Sequence, residues 1–111
     1  MDIEFPSTKL QKTFESQKSL VQEHGSERAR RIRRRMDDLL AALTLEEFRN
    51  LPGRCHELHG NRAGQLSLDL DGPYRLIFEP ANDPIPTKPD GGLDWSGVTS
   101  VRILEVTNTH E

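Results

Sequence analysis

The chain has 111 residues, of which 33% are hydrophobic and 30% charged, so it has room for one domain with a single modest core. No apolar run approaches the ~20 residues that span a bilayer, and the first residues lack the basic and apolar regions of a secretory signal. A single cysteine, Cys55, excludes an internal disulfide and is typical of a reducing compartment. We therefore expect one cytoplasmic domain spanning 1–111, without membrane contact.

The net charge of −3 is unevenly distributed along the chain. Residues 1–50 hold 10 Lys and Arg against 9 Asp and Glu, whereas residues 51–111 hold 5 against 9. Six arginines fall between Arg28 and Arg35, on the polar side of a predicted helix. This run is either a solvated face or a contact surface for RNA or acidic side chains. Nucleic-acid binders usually have a basic face, and only local patches of this chain fit that class.

The first half of the chain predicts a short strand at 3–5 and then two helices. Ser7 or Thr8 can cap the first helix through its hydroxyl, and Gly25 ends it as a C′ glycine does. Ser26 is placed to cap the second helix. The apolar side chains of the two helices follow helical spacing, Leu10, Phe14 and Val21 in the first, and Ala29, Ile32, Met36, Leu39, Leu40 and Leu43 in the second. We therefore expect an N-terminal helix hairpin.

The second half predicts strands. Leucines alternate with polar residues over 65–71, which indicates a strand with one buried face. Asp71-Gly72 marks a turn, and 74–78 supplies the next strand. A proline- and glycine-rich loop follows at 81–97, and the nearly continuous apolar run at 98–106 predicts a last strand covered on both faces. The predicted order is β-α-α-β-β-β, an α+β fold with the helix hairpin packed on a small, mostly antiparallel sheet.

That order resembles the RelE/ParE toxin superfamily, and most closely its HigB-like or "plasmid killer" branch. Three segments carry the resemblance: the Leu-x-Gly-x-Arg-x-Gly turn at 58–64, the strand at 74–78 with its arginine, and the end of the last strand at 105–110 with its histidine. The resemblance implies a RelE-like domain and the toxin of a type II toxin–antitoxin system. It further implies a ribosome-dependent mRNA endonuclease that blocks translation, with the ribosome, mRNA and a HigA-like helix-turn-helix antitoxin as partners.

Two alternatives remain open beside the nuclease. A ParE-like member would bind DNA gyrase without chemistry of its own. A catalytically degenerate member would act only as a binding partner or co-repressor, and the acidic balance of the chain favours this reading.

The chemistry of metal-independent RNA cleavage is compatible with the residues at hand. A base takes the proton of the ribose 2′-OH, cations stabilise the phosphorane, and an acid protonates the departing 5′-oxygen. Arg75 matches the strand arginine of the family and suits the phosphate, unless it merely pairs with Glu79 or a carboxylate on the neighbouring strand. His110 matches the terminal histidine and suits proton transfer, unless it is a frayed terminal residue.

Further candidates for RNA contact are Arg62, expected on a short flexible loop between Gly60 and Gly64, and then Arg54 and His59. The Cys55-His56-x-x-His59 spacing invites a metal site, but residues 56 and 59 face opposite sides of an extended strand. Cys55 and His59 alone are too few ligands for zinc. Cys55 lacks the surroundings of a nucleophile and is expected to pack. We expect neither a metal nor another cofactor.

Overall fold

The computed structural model describes residues 1–108. Its helices are α1 (Thr8–Phe14), α2 (Gln17–His24) and α3 (Ser26–Ala41). Its strands are β1 (Asp2–Glu4), β2 (His56–Glu57), β3 (Leu66–Asp69), β4 (Tyr74–Pro80) and β5 (Ser100–Asn108). Three 3₁₀ turns lie at Leu45–Arg49, Gly60–Arg62 and Trp95–Gly97. Among these residues, no helix combines the length and the apolar character needed to cross a membrane.

The five strands form one sheet in the order β1-β5-β4-β3-β2. β1 runs parallel to β5, and all other neighbours are antiparallel. The predicted α+β fold, helices packed on a small and mostly antiparallel sheet, is confirmed. We call the sheet face that packs on the helices the inner face and the opposite one the outer face.

The core lies between the helices and the inner face. Each strand turns alternate side chains to the two faces, so one side of β3, β4 and β5 supplies the apolar partners of α1, α2 and α3. The side chains that meet here include Phe14, Leu20, Ile32, Met36, Leu39, Leu66, Leu68, Leu76, Phe78, Val101 and Ile103. Leu45, Phe48, Trp95 and Val98 extend this cluster at one end.

The predicted helix before Gly25 is in fact two helices. The hydroxyl of Ser7 accepts a hydrogen bond from Leu10 N at 3.1 Å and caps α1 as expected. Ser16 then caps α2 by accepting from Ser19 N at 3.2 Å, in the middle of the predicted helix. A serine that bonds to nearby backbone offers the chain an alternative to continued helix, which explains the break. Gly25 ends α2 at a φ of 83°.

Two details of the predicted second helix are wrong. Ser26 is the first residue of α3, and the structure has no side-chain cap there; Gly25 occupies the N-cap position. Leu40 and Leu43 lie at the end of the apolar stripe but are 56% and 81% exposed. The helix ends at Ala41, so Leu43 leaves the helical repeat that the spacing assumed.

The last strand is buried on one face, not on both as its composition suggested. The register between β4 and β5 shifts, with Ile77 opposite Glu105 but Phe78 opposite Ile103. Leu104 is the extra residue of this bulge, which brings Ile103 and Val106 to the same side. A nearly continuous apolar run therefore serves a single buried face.

Two further features separate the structure from the predicted order. β2 is an additional short strand that pairs His56 with Ser67 at the edge of the sheet. The segment 81–97 is an excursion, as expected, but it carries an isolated bridge between Thr87 and Leu93 and returns Trp95 to the core.

The arginine run on α3 is mostly engaged within the fold. Arg28 binds Asp71 through its guanidinium, with Nε 3.0 Å from Oδ1, and lies 3.4 Å from the centroid of the Tyr74 ring. Arg33 donates to the carbonyl of Phe14 at 2.7 Å. These contacts join α3 to other elements, so the run is neither a purely solvated face nor a free basic patch.

The Arg28–Asp71 pair predicts a pH-dependent contribution to stability. The hydrogen bonds from Arg28 hold the pKa of Asp71 below its usual value of 3.8. A depressed carboxyl pKa stabilises the fold above the unfolded-state value, and this contribution is lost as the pH falls through the folded-state pKa. Asp71→Asn is therefore expected to lower the unfolding free energy by about 1 kcal/mol at neutral pH. Urea unfolding of both proteins should show the difference vanishing in acid; a constant difference would contradict the assignment.

Candidate functional site

The outer face of the sheet carries polar side chains in cross-strand rows. In one row, Asp69 on β3 lies opposite Arg75 on β4. In the next, His56, Ser67 and Ile77 follow one another across β2, β3 and β4. Ile77 is fully buried but lies outside the core cluster, as expected for a residue that alternates with the inward-facing Leu76 and Phe78.

Two arginines converge on Asp69. Nε of Arg75 lies 2.9 Å from Oδ1, and Nε of Arg54 lies 3.1 Å from Oδ2. The two guanidinium groups differ in freedom, because the Arg75 side chain is 12% exposed and the Arg54 side chain 62%. Arg75 is further anchored by donating from Nη1 to the carbonyls of Gly72 and Tyr74, each at 3.0 Å. One carboxylate therefore joins a fixed arginine to an accessible one.

The backbone at Arg54 has an unusual conformation. Its φ of 49° is the only positive value of a non-glycine residue in the part of the chain that the structure describes. Such a residue costs of order 1–3 kcal/mol and persists only where its surroundings hold it. They do so here, because Gly53 just before it packs so closely that a Cβ would lie 3.0 Å from Nε of Arg35. Asp69 N also donates to the Gly53 carbonyl at 2.7 Å.

His56 lies beside this cluster on the outer face. Its Nδ1 is 2.9 Å from the carbonyl oxygen of Arg54, and because a carbonyl only accepts, Nδ1 carries the proton of this hydrogen bond. In the neutral ring, Nε2 is then the unprotonated nitrogen. The Ser67 hydroxyl lies 3.5 Å from both ring nitrogens.

Arg62 approaches the same face from the 3₁₀ turn at Gly60–Arg62. Its Nη1 donates to the side chain of Gln65 at 3.0 Å and lies 3.4 Å from Oε2 of Glu105. Arg62 is therefore held over the sheet, not carried on a flexible loop. Beside it, a polar groove of about 450 Å³ is lined in part by Gln65, Glu79 and Asn82.

The other predicted site residues have different positions. His59 precedes the turn that carries Arg62 and is exposed; its carbonyl accepts from Arg62 N at 3.1 Å. His110 lies outside the described residues. The structure thus brings Arg54 and Arg75 together and places Arg62 on the same face.

Every described arginine of this face has a carboxylate partner. Arg102 lies between Glu79 and Glu4, on the side of the sheet where Arg62 meets Glu105. Four arginines (54, 62, 75 and 102) thus face four carboxylates (Asp69, Glu105, Glu79 and Glu4). The formal charge of these groups sums to zero, so they give the outer face no basic excess.

Sequence reasoning missed Asp69, and it left open which of His56, His59 and His110 faces Arg75. The alternation at 65–71 and the turn at Asp71-Gly72 contained the signal for Asp69, because a hairpin of that register places it opposite Arg75. No three His, Cys, Asp or Glu side chains of residues 1–108 gather in a way that could hold a metal ion.

Cys55 precedes β2 and packs against the core. Burial raises the pKa of its thiol to about 12, so the thiolate is scarce at neutral pH. We expect native Cys55 to react with iodoacetamide about 10³-fold more slowly than a free cysteine. The reaction should reach the rate of the free thiol in denaturant. Fast alkylation of the native protein would contradict this description of the site.

Among solved structures, the chain is similar to a YoeB/ParE toxin from Agrobacterium tumefaciens. The two share 13% sequence identity with a TM-score of 0.55, and the match covers 99% of this chain and 100% of that one. The chain has a toxin fold of the RelE/YoeB type. No protein-family model and no curated protein matches the sequence. At this identity the likeness shows the fold, and the HigB-like branch stays a prediction.

Proposed function

We propose that the chain is the toxin of a type II toxin–antitoxin system and a ribosome-dependent endonuclease of mRNA. The observation that carries the proposal is the cluster on the outer face, where Arg54 and Arg75 converge beside His56 on a toxin-type sheet. The likeness to a YoeB/ParE toxin over the whole of both chains supports the toxin assignment. The proposed partners are mRNA, the ribosome and a HigA-like helix-turn-helix antitoxin.

The proposed reaction needs no metal. A base takes the 2′-OH proton while the 2′-oxygen bonds to the phosphorus, and the bond from phosphorus to the 5′-oxygen breaks as an acid protonates that oxygen. Nε2 of His56 suits the base, and His110 is proposed as the second proton-transfer group. Arg75 stabilises the additional negative charge on the phosphorane, since its planar fork stays charged. Arg54, Arg62 and His59 contact the RNA on either side of the reacting phosphate.

A non-catalytic toxin is the second candidate, and the balanced charge of the outer face favours it. Each arginine there is already paired with a carboxylate, so the face offers less attraction to a polyanion than a basic surface does. A ParE-like gyrase binder, or a degenerate toxin-fold partner, needs no excess positive charge at this face.

Induced expression distinguishes the candidates. We expect growth arrest together with new mRNA 5′ ends that appear only in translated messages, and both should be lost in His110→Ala. Arrest without new ends, unchanged in His110→Ala, would contradict the nuclease and indicate a bound target such as gyrase. No arrest from a folded, well-expressed protein would contradict the toxin assignment.

A further inference from the structure

We propose that Arg54 and Arg75 form a binding site for an RNA phosphate, and that the Asp69 carboxylate occupies the position of that phosphate and blocks the site. The proposal deepens the proposed function and rests on it in naming RNA as the source of the phosphate. The site opens when a phosphate displaces the carboxylate from the two guanidinium groups.

The Asp69 carboxylate lies between two guanidinium groups, as an ion pair with Arg75 and as a hydrogen-bonded ion pair with Arg54. Arg75 contacts Oδ1 and Arg54 contacts Oδ2, at 2.9 and 3.1 Å. Guanidinium groups that bind a carboxylate in this way bind phosphate oxygens through the same N–H donors. A phosphate in the position of the carboxylate offers more oxygen acceptors to the guanidinium groups of Arg54 and Arg75.

The local charge balance distinguishes this cluster from the other ion pairs of the outer face. Two arginines meet one carboxylate at Asp69, whereas Arg102 meets two, from Glu4 and Glu79. Arg62 meets one carboxylate, that of Glu105. The Asp69 cluster is therefore where the described outer face carries a surplus of positive charge, and where an anion is attracted.

Hydrogen bonds fix the backbone of Asp69, whereas its side chain can move away from the two arginines into solvent. Its amide donates to Gly53 and its carbonyl accepts from Nε of Arg35 at 3.1 Å, so the strand stays in place. The Asp69 side chain is 31% exposed and needs only a rotation about its own bonds to reach solvent. The Arg54 side chain contacts Asp69 although it is 62% exposed, so an anion can reach its guanidinium from solvent.

Titration with inorganic phosphate and with a short 2′-deoxy-substituted RNA tests the proposal, because neither probe can be cleaved. We expect Asp69→Asn to bind both at least about tenfold more tightly than the wild type, because the substitution removes the negative charge that competes with phosphate for the two arginines. Asp71→Asn is the matched control, the same substitution two residues away, and is expected to leave both affinities unchanged. Adding Arg54→Gln to Asp69→Asn should cancel the gain.

These binding measurements test the anion site without depending on RNA cleavage. An equal gain in Asp71→Asn, or no gain in a folded Asp69→Asn protein, would overturn the proposal. A gain for phosphate without one for RNA would overturn the assignment to RNA. If Asp69→Asn does not fold, the wild type serves: phosphate should shift the Nε–H resonances of Arg54 and Arg75 but not that of Arg28, and no shift would contradict the site. The proposed function is tested separately, by mapping new mRNA 5′ ends after induced expression.

Discussion

Arg75→Gln is expected to reduce mRNA cleavage by about 10²–10³-fold, the loss seen when one preorganised donor to a developing oxyanion is removed. Arg75 is the fixed member of the Asp69 cluster, because Nη1 donates to two backbone carbonyls and little of the side chain is exposed. A donor already in place needs no rearrangement as charge develops on the phosphorane. Arg75→Lys should recover only part of the activity, since an ammonium keeps the charge but lacks the fork. Mapping of mRNA ends after induction measures the effect.

The control for this substitution is Arg102→Gln, which removes the same charge from the same face. Arg102 binds Glu4 and Glu79, neither of which belongs to the Asp69 cluster. We expect it to leave cleavage within a few-fold of the wild type, while thermal unfolding confirms that both variants are folded. Cleavage that falls equally in the two variants would mean that net charge matters and the position of Arg75 does not.

Phe78→Ala is expected to lower the unfolding free energy by about 3–5 kcal/mol, the cost of replacing a buried phenylalanine by alanine. Phe78 is fully buried on β4, within the cluster that joins the sheet to the helices. The unfolding free energy of a domain is only about 5–15 kcal/mol, so this substitution is expected to remove a large part of it. Urea unfolding at neutral pH measures the change.

Leu43→Ala provides the comparison for the core variant. Leu43 is 81% exposed beyond the end of α3, and its truncation should change the unfolding free energy by no more than about 0.5 kcal/mol. Similar urea midpoints for Phe78→Ala and Leu43→Ala would contradict the core described above.

Much of the fold was predictable, because hydrophobic periodicity reports which side of an element is buried. The helical spacing of Ala29, Ile32, Met36 and Leu39 and the alternation in β3 both led to elements that the structure contains. The errors arose where a single residue changes the local geometry. Ser16 interrupts a helix through its own hydroxyl, and the bulge at Leu104 shifts the phase of β5; periodicity averaged over a window registers neither.

The candidate site was predicted only in part. Arg75 and Arg54 were named from the sequence, but their partner Asp69 was not. The Arg75–carboxylate pair had been weighed as an alternative to function, and the structure contains that pair, with Asp69. Local pattern indicates which residue types could bind a phosphate, whereas strand register decides which carboxylate Arg54 and Arg75 contact.

The sequence by itself determined the class of fold and the residue types that could serve RNA chemistry, since periodicity, turns and composition act within a few neighbouring residues. The tertiary structure alone decided how those residues meet. Strand register brings Arg54, Asp69 and Arg75 into contact and places His56 beside Ser67. Helix packing brings Arg28 of the arginine run to Asp71, 43 residues away in the sequence. These are set by burial of the core as a whole, which no short segment of sequence contains.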